Sequence, residues 1–344
     1  MIIVALSYSI MEAAGRTQST TVSPNRFAAF AWFVTALTLA VILWGAYVRA
    51  SRSGDGCGAH WPLCNGTAAL PQAGETKTLI EFAHRATSGV ALLLVAALAL
   101  WAFRKFRRGH AVRAAAALSA VFIVTESLIG AGLVLLRLVA NDASVARAIY
   151  LSVHLVNTFV LVAALALTAW WATFDESARP RLREFLGGRV GVALTGALAL
   201  GVSGAVAALG ATLFPESARA GFIGRDVSPS AQLLFSLRQY KLHPLLAALV
   251  GGYLIYFAVA LVRSRRDARV RRCASAVVAL VLLQACVGLL NAALLAPVWM
   301  QIIHLLVADL LWLALVLLSA SSLARGEERA EEFGQVSLRQ AVEI

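Results

Sequence analysis

Four of the six histidines in this chain, His84, His154, His243 and His304, each sit one to two turns inside the entrance of a long apolar segment. An imidazole in such surroundings is costly unless it faces the interior of the molecule and is paired or coordinated. A single histidine placed this way reads as a hydrogen-bonded interior residue. Four placed alike read as metal ligands. Zinc sites gather three or four N or S donors, often with carboxylates. Pairs of histidines on facing helices instead suit axial ligation of a planar heme from its two sides. The second ring nitrogen of each would donate to a carbonyl or carboxylate and so fix the tautomer. Iron held by two histidines has no open coordination position, so such a heme carries electrons or is itself the reactant.

Beside one histidine stands an acid. Glu81 precedes His84 by three residues in Glu81-Phe82-Ala83-His84-Arg85, a spacing that sets both side chains on one helix face. Glu81 is therefore expected to project toward the edge of a heme bound by His84, where a carboxyl group suits proton transfer. The alternative is a carboxylate paired with Arg85. The corresponding stretch before His243, Tyr240-Lys241-Leu242-His243-Pro244, has no acid at that spacing. Arg49, Arg85, Arg147, Arg238 and Lys241 lie near the same ends of their segments. They could meet heme propionates or snorkel at the interface.

The elements that must position these residues follow from composition. With 60% hydrophobic residues, 14% charged residues and a mean hydropathy of +0.78, the chain departs from a soluble globular protein and reads as an all-α polytopic membrane protein. A bilayer core needs roughly 20 apolar helical residues. Eight stretches qualify, at about 27–49, 78–103, 112–136, 146–173, 189–212, 236–262, 272–296 and 298–321. Helices are expected because lipid offers backbone amides no partner.

The net charge of +12 is placed as a membrane protein places it. Arg104, Lys105, Arg107 and Arg108 follow the second stretch, and Arg179, Arg181 and Arg183 the fourth. Arg263, Arg265, Arg266, Arg269, Arg271 and Arg272 surround the turn between the sixth and seventh. These are alternate loops, so the positive-inside rule puts them and both termini in the cytoplasm. Nucleic acid is not an expected partner; the lipid bilayer is. All four histidines then share one depth near the outer leaflet, roughly 9–12 Å below the outer ends of their helices. The run 1–10 is apolar but too short to span and lacks the marks of a cleaved signal.

An internal repeat divides the chain. His154-Leu155 opens a long apolar run as His304-Leu305 does, and Glu126 with Gly130 matches Gln284 with Gly288. Four helices per unit give both copies the same orientation, a parallel repeat. Two pseudo-symmetric four-helix bundles are expected, with cofactors between facing helices. The resulting organisation is a cytoplasmic N-terminal segment (1–26), an N-terminal half (27–173), a cytoplasmic linker (174–188), a C-terminal half (189–321) and a cytoplasmic tail (322–344). Gly45, Gly130, Gly132, Gly201, Gly204 and Gly288 allow close helix approach.

Cys57 and Cys64 share the first outer loop in Cys57-Gly58-Ala59-His60-Trp61-Pro62-Leu63-Cys64. That compartment tolerates disulfides, and the spacing permits a bridge without deciding it. Cys273 and Cys286 read as packed residues of the seventh helix, His60 as a loop residue, and His110 as solvated in a basic loop.

Taken together, the loop from Gly54 through Trp61-Pro62-Leu63-Cys64-Asn65-Gly66, the Glu81 to Arg85 motif, and His154, His243 and His304 resemble the heme A synthase family, over nearly all of 27–321. The resemblance implies a prosthetic heme b on His243 and His304, and a heme O substrate on His84 and His154. It also implies a Cys57–Cys64 disulfide facing the periplasm and Glu81 as the catalytic acid. The family oxidises the C8 methyl of heme O to a formyl group by successive hydroxylations, giving heme A for terminal oxidases. Expected partners are a heme O synthase (protoheme farnesyltransferase) and an electron partner of unspecified identity in a bacterial inner membrane, with room for a homo-oligomer. Two departures stand out. His60 occupies a position where the family has an acid, and Pro244 stands where the first half has Arg85. A diheme b-type electron-transfer protein, a heme transporter and a disulfide oxidoreductase remain as alternatives.

Overall fold

A computed structural model describes residues 25–67, 71, 74–174, 182–214, 228–239, 242–265 and 267–324. The N-terminal run, Arg179, Arg181, Tyr240, Lys241, Arg266, the side chain of Arg238 and the C-terminal tail lie outside the described residues.

Among the described residues, eight helices are long and apolar enough to cross a membrane. They are α1 (Arg26–Ala50), α2 (Thr76–Lys105), α3 (Ala111–Leu135), α4 (Val145–Thr173), α5 (Gly188–Leu213), α6 (Leu242–Ser264), α7 (Ala268–Ala293) and α8 (Val298–Leu323). Two shorter helices, Leu182–Leu186 and Pro229–Gln239, precede α5 and α6. Local chemistry starts several of them. Asn25, Ser144 and Asp267 accept backbone N–H groups at the heads of α1, α4 and α7, satisfying donors the helix cannot. His110 does the same for α3 and packs its ring on Phe106. It is a half-buried capping residue.

The described part of the sixth span opens at Leu242 with Pro244 in its first turn, where a missing N–H is tolerated. One boundary differs from the sequence reading. The seventh span begins at Ala268, not near 272, because Asp267 caps it, which draws Arg269 and Arg271 into the helix.

Each half closes on itself in the same order. Helix α1 packs on α2, α2 on α3, α3 on α4 and α4 on α1, and α5 to α8 repeat that ring. The helix ends repeat as well. Arg137 after α3 and Leu295 after α7 both adopt left-handed backbone (φ 57 and 62). In both places the next N–H returns to a carbonyl five residues back, Leu138 to Leu133 and Ala296 to Asn291. These are Schellman-like stops.

The halves meet through α4 and α8, with α4 also touching α5 and α8 touching α1. These two helices are the most deeply buried of the eight. Trp312 of α8 donates to the Phe159 carbonyl of α4 at 2.7 Å and stacks on the Phe159 ring. Leu93, Leu249 and Leu289, on the peripheral helices α2, α6 and α7, are among the most exposed apolar side chains. Lipid is the medium that suits such a surface. Arg49 at the end of α1 joins the halves a second time, donating to the Ala208 carbonyl and Thr212 of α5 and to Gln301 of α8.

Candidate functional site

The four histidines lie toward the end of the bundle that carries the Cys57–Cys64 loop. Counted to the opposite helix end, His84 in α2 and His243 in α6 are equally far, and so are His154 in α4 and His304 in α8. They divide by half, one pair on α2 and α4, the other on α6 and α8. Three of the glycines singled out for packing sit against their rings. A Cβ on Gly45 would lie 2.8 Å from His84 Cε1, one on Gly204 3.1 Å from His243 Cε1, and one on Gly288 3.0 Å from His304 Cε1. The first and second are equivalent positions of the repeat, α1 against α2 and α5 against α6. Gly201 meets Leu155 and Phe159 of α4, whereas Gly130 faces open space.

In the C-terminal half, the His243 and His304 rings are 6.4 Å apart between centroids and nearly perpendicular. Two metal–nitrogen bonds of about 2 Å, plus about 1 Å from each nitrogen to its ring centre, require about 6 Å. The separation therefore fits one shared iron. His243 Nδ1 lies 2.9 Å from the Ser203 hydroxyl, which leaves its Nε2 for a ligand. Gln284 Nε2 lies 3.4 Å from His304 Nε2, and His304 Nδ1 is buried without a protein partner.

In the N-terminal half, the two histidines are His84 on α2 and His154 on α4. Their Nδ1 atoms are also buried without hydrogen-bond partners. Orphaned ring nitrogens at three of the four histidines are unfavourable in a finished apolar core. With the glycines that clear space beside the rings, they fit a pair of axial ligands in each half. Among the described residues, no three His, Cys, Asp or Glu side chains converge as a metal cluster.

Around these pairs the halves diverge. Cys57 and Cys64 are joined by a disulfide, and their loop folds onto the head of α2. Glu81 is buried there. Its Oε2 accepts the Cys57 N–H at 2.8 Å and its Oε1 pairs with Arg85 at 2.6 Å. Arg85 also donates to the carbonyls of His60 (2.6 Å) and Leu63 (2.9 Å). Thr78 adds a hydrogen bond to the Gly56 carbonyl. Glu81 and Arg85 thus clamp the loop to the helix that carries His84. Arg147 of α4 is likewise buried and donates to the carbonyls of Ala140 and Asp142.

The sequence reading passed over a second polar cluster. Glu126 of α3 accepts from Asn157 Nδ2 at 2.6 Å and from the Thr158 hydroxyl, both on α4. Its Oε1 lies 3.7 Å from His154 Nδ1. Asn157 also donates to the Phe122 carbonyl and accepts from Thr125. The signal was available, because Asn157 and Thr158 follow His154 by three and four residues and so share its face. Asp309 in α8 was also passed over. It is fully buried, and its Oδ2 has no hydrogen-bond partner. Of the two other cysteines, Cys273 packs against the core and Cys286 is exposed.

Comparison with known proteins agrees with this architecture. A family model described as cytochrome oxidase assembly protein, COX15-CtaA, matches residues 28–316. A Thermus thermophilus protein named protoheme IX farnesyltransferase is 48% identical over 307 residues, 89% of this chain and 50% of that protein. The chain thus spans half the length of that relative. A heme A synthase of Exiguobacterium sibiricum is 29% identical over 67% of this chain and 74% of its own length. One of Geobacillus kaustophilus is 42% identical over 106 residues, 30% of this chain and 33% of its own. Matched from the first helix well into the eighth, the chain belongs to the COX15-CtaA family of cytochrome oxidase assembly proteins, the heme A synthase family.

Proposed function

We propose that the chain is a heme A synthase of a bacterial inner membrane, oxidising the C8 methyl of heme O to a formyl group through successive hydroxylations. Replacing two C–H bonds of the methyl by one C=O is a net four-electron oxidation, so a reaction site and an electron route are both needed. The observation that carries the reading is the pairing of two alike histidine sites with one unlike feature, the clamp of Glu81, Arg85 and the Cys57–Cys64 loop over the N-terminal pair.

In this reading, His84 and His154 hold heme O as substrate, and His243 and His304 hold heme b. The resident heme supplies one-electron chemistry. The protein's own work is positioning. Helices α2 and α4 supply the two imidazoles that would hold heme O, Gly45 lets the His84 ring lie against α1, and the disulfide loop packs on the head of α2. Glu81 is the group that takes or relays protons, or stabilises positive charge at the methyl carbon. Its hydrogen bond from Cys57 makes its placement depend on the loop. Four of the five donors of Arg85 are engaged by Glu81, His60 and Leu63, which leaves one for a heme propionate. The loop end faces the periplasm in this orientation, with the basic end and both termini in the cytoplasm.

Heme O comes from a protoheme farnesyltransferase, which makes that enzyme the natural neighbour. The name of the longer Thermus relative, only half of which this chain matches, supports the same partnership. The test is pigment analysis of hemes extracted from cells that co-express the chain and a heme O source. Heme A should appear with the native chain and vanish with His84→Ala. Hemes consisting of heme b alone would favour a diheme electron carrier, and unchanged heme O a transporter.

A further inference from the structure

The repeat that makes the two histidine pairs alike also exposes a position where they differ in charge-bearing chemistry. Glu126 on α3 and Gln284 on α7 are equivalent, and each approaches the histidine of the following helix but at a different nitrogen: Glu126 Oε1 lies 3.7 Å from His154 Nδ1, and Gln284 Nε2 lies 3.4 Å from His304 Nε2. Everything that holds Glu126 is missing from the other half. Asn157 and Thr158 correspond to Val307 and Ala308, and Thr125 to Leu283. The N-terminal half therefore maintains a four-residue polar network inside an apolar bundle. Asn157 spends both N–H donors on the Phe122 carbonyl and Glu126 and accepts from Thr125. That network holds the Glu126 carboxyl beside a buried His154 Nδ1 that has no other partner.

Resting on the heme reading above, we infer that Glu126 is a positioning residue for the axial imidazole of His154. When that ring turns its Nε2 onto iron, its Nδ1–H donates to Glu126 Oε1, closing a gap that now just exceeds hydrogen-bond reach. A carboxyl acceptor on the far nitrogen fixes the tautomer and strengthens the imidazole as a donor. Gln284, a carboxamide without those supports, stands beside His304 Nε2 and leaves Nδ1 without a partner, so it gives the ring no such support. The N-terminal site thus favours the ferric state relative to the C-terminal site, and the two hemes differ in potential although both have two histidine ligands.

The experiment uses the full chain in detergent, with ferric protoheme as the probe. Native protein, Glu126→Gln, Gln284→Glu and His154→Ala are titrated by Soret absorption, and the bound hemes are resolved by redox potentiometry and low-spin EPR. Glu126→Gln keeps the length and one acceptor oxygen for Asn157 Nδ2, while its amide can donate to the Thr158 hydroxyl, which has the His154 carbonyl as its alternative acceptor. It is expected to weaken ferric heme at the N-terminal site by about 10-fold or more, the usual effect of removing a ligand's hydrogen-bond partner. For equal weakening of the ferric form alone, the potential rises by about 59 mV per tenfold. The C-terminal heme should not move. Gln284→Glu should lower the potential of the C-terminal heme. A Glu126→Gln protein whose N-terminal heme matches the native in affinity, potential and g values would overturn the inference and leave the heme reading intact. Native protein that loses no heme on His154→Ala would overturn both.

Discussion

The N-terminal and C-terminal halves fold alike and are furnished differently. They share helix order, the left-handed stops after α3 and α7, and the glycine beneath the histidine of the second helix. They differ in the polar groups around the histidines. The first half has Glu81 and Arg85 locked to a disulfide loop, and Glu126 locked to Asn157 and Thr158. The second has Ser203 and Gln284. The histidines and the glycines against them belong to the scaffold, while the charged groups around them belong to one copy. That is the arrangement expected when one site holds a cofactor and the other must transform its occupant.

Substitutions can break or sharpen this contrast. The largest effect is expected from removing an N-terminal ligand. His84→Ala or His154→Ala should abolish heme A formation in the extracted pigments while the low-spin absorption of the C-terminal heme persists. Loss of both hemes together would show that the halves are not independent. Next comes Glu81→Ala, with a fall in conversion of about 100-fold or more, the range for a positioned proton-transfer group. A protein that retained heme b yet converted heme O undiminished would sink that role. Removing the loop's covalent tie by Cys57→Ser with Cys64→Ser should act through the Cys57 N–H on Glu81. Conversion should fall roughly 10-fold, measured per bound heme b, with the heme b spectrum unchanged.

The smallest effect compares the two glycines. Alanine at Gly45 would place Cβ 2.8 Å from His84, against 3.1 Å from His243 for Gly204. Overpacking of this kind costs about 1–3 kcal/mol. Gly45→Ala should therefore shift the N-terminal Soret band and lower its heme affinity more than Gly204→Ala does in the C-terminal half. Equal shifts would mean the two pockets are equally tight.

Much of the fold was legible because a membrane leaves few options. Apolar length identified the eight helices, and the matched histidines, Glu126 with Gln284 and Gly130 with Gly288 exposed the repeat. The sequence reading erred where local chemistry overrides hydropathy, at Asp267, whose cap starts α7 early. At the site, the spacing of Glu81 and His84 correctly placed them on one helix. It could not tell whether the carboxyl turns toward a heme edge or toward Arg85 and the loop, since both lie within reach of the same backbone.

The sequence by itself determined the helices, their alternating direction, and four histidines drawn toward one end, because apolar length and charge act locally along the chain. Only the tertiary structure decided which polar groups answer one another. The clamp of Glu81 by Cys57, the hold of Asn157 and Thr158 on Glu126, and the Arg49 staple between the halves join residues on different elements. Their energies depend on distances that exist only after the helices have packed, so no periodicity in the chain encodes them.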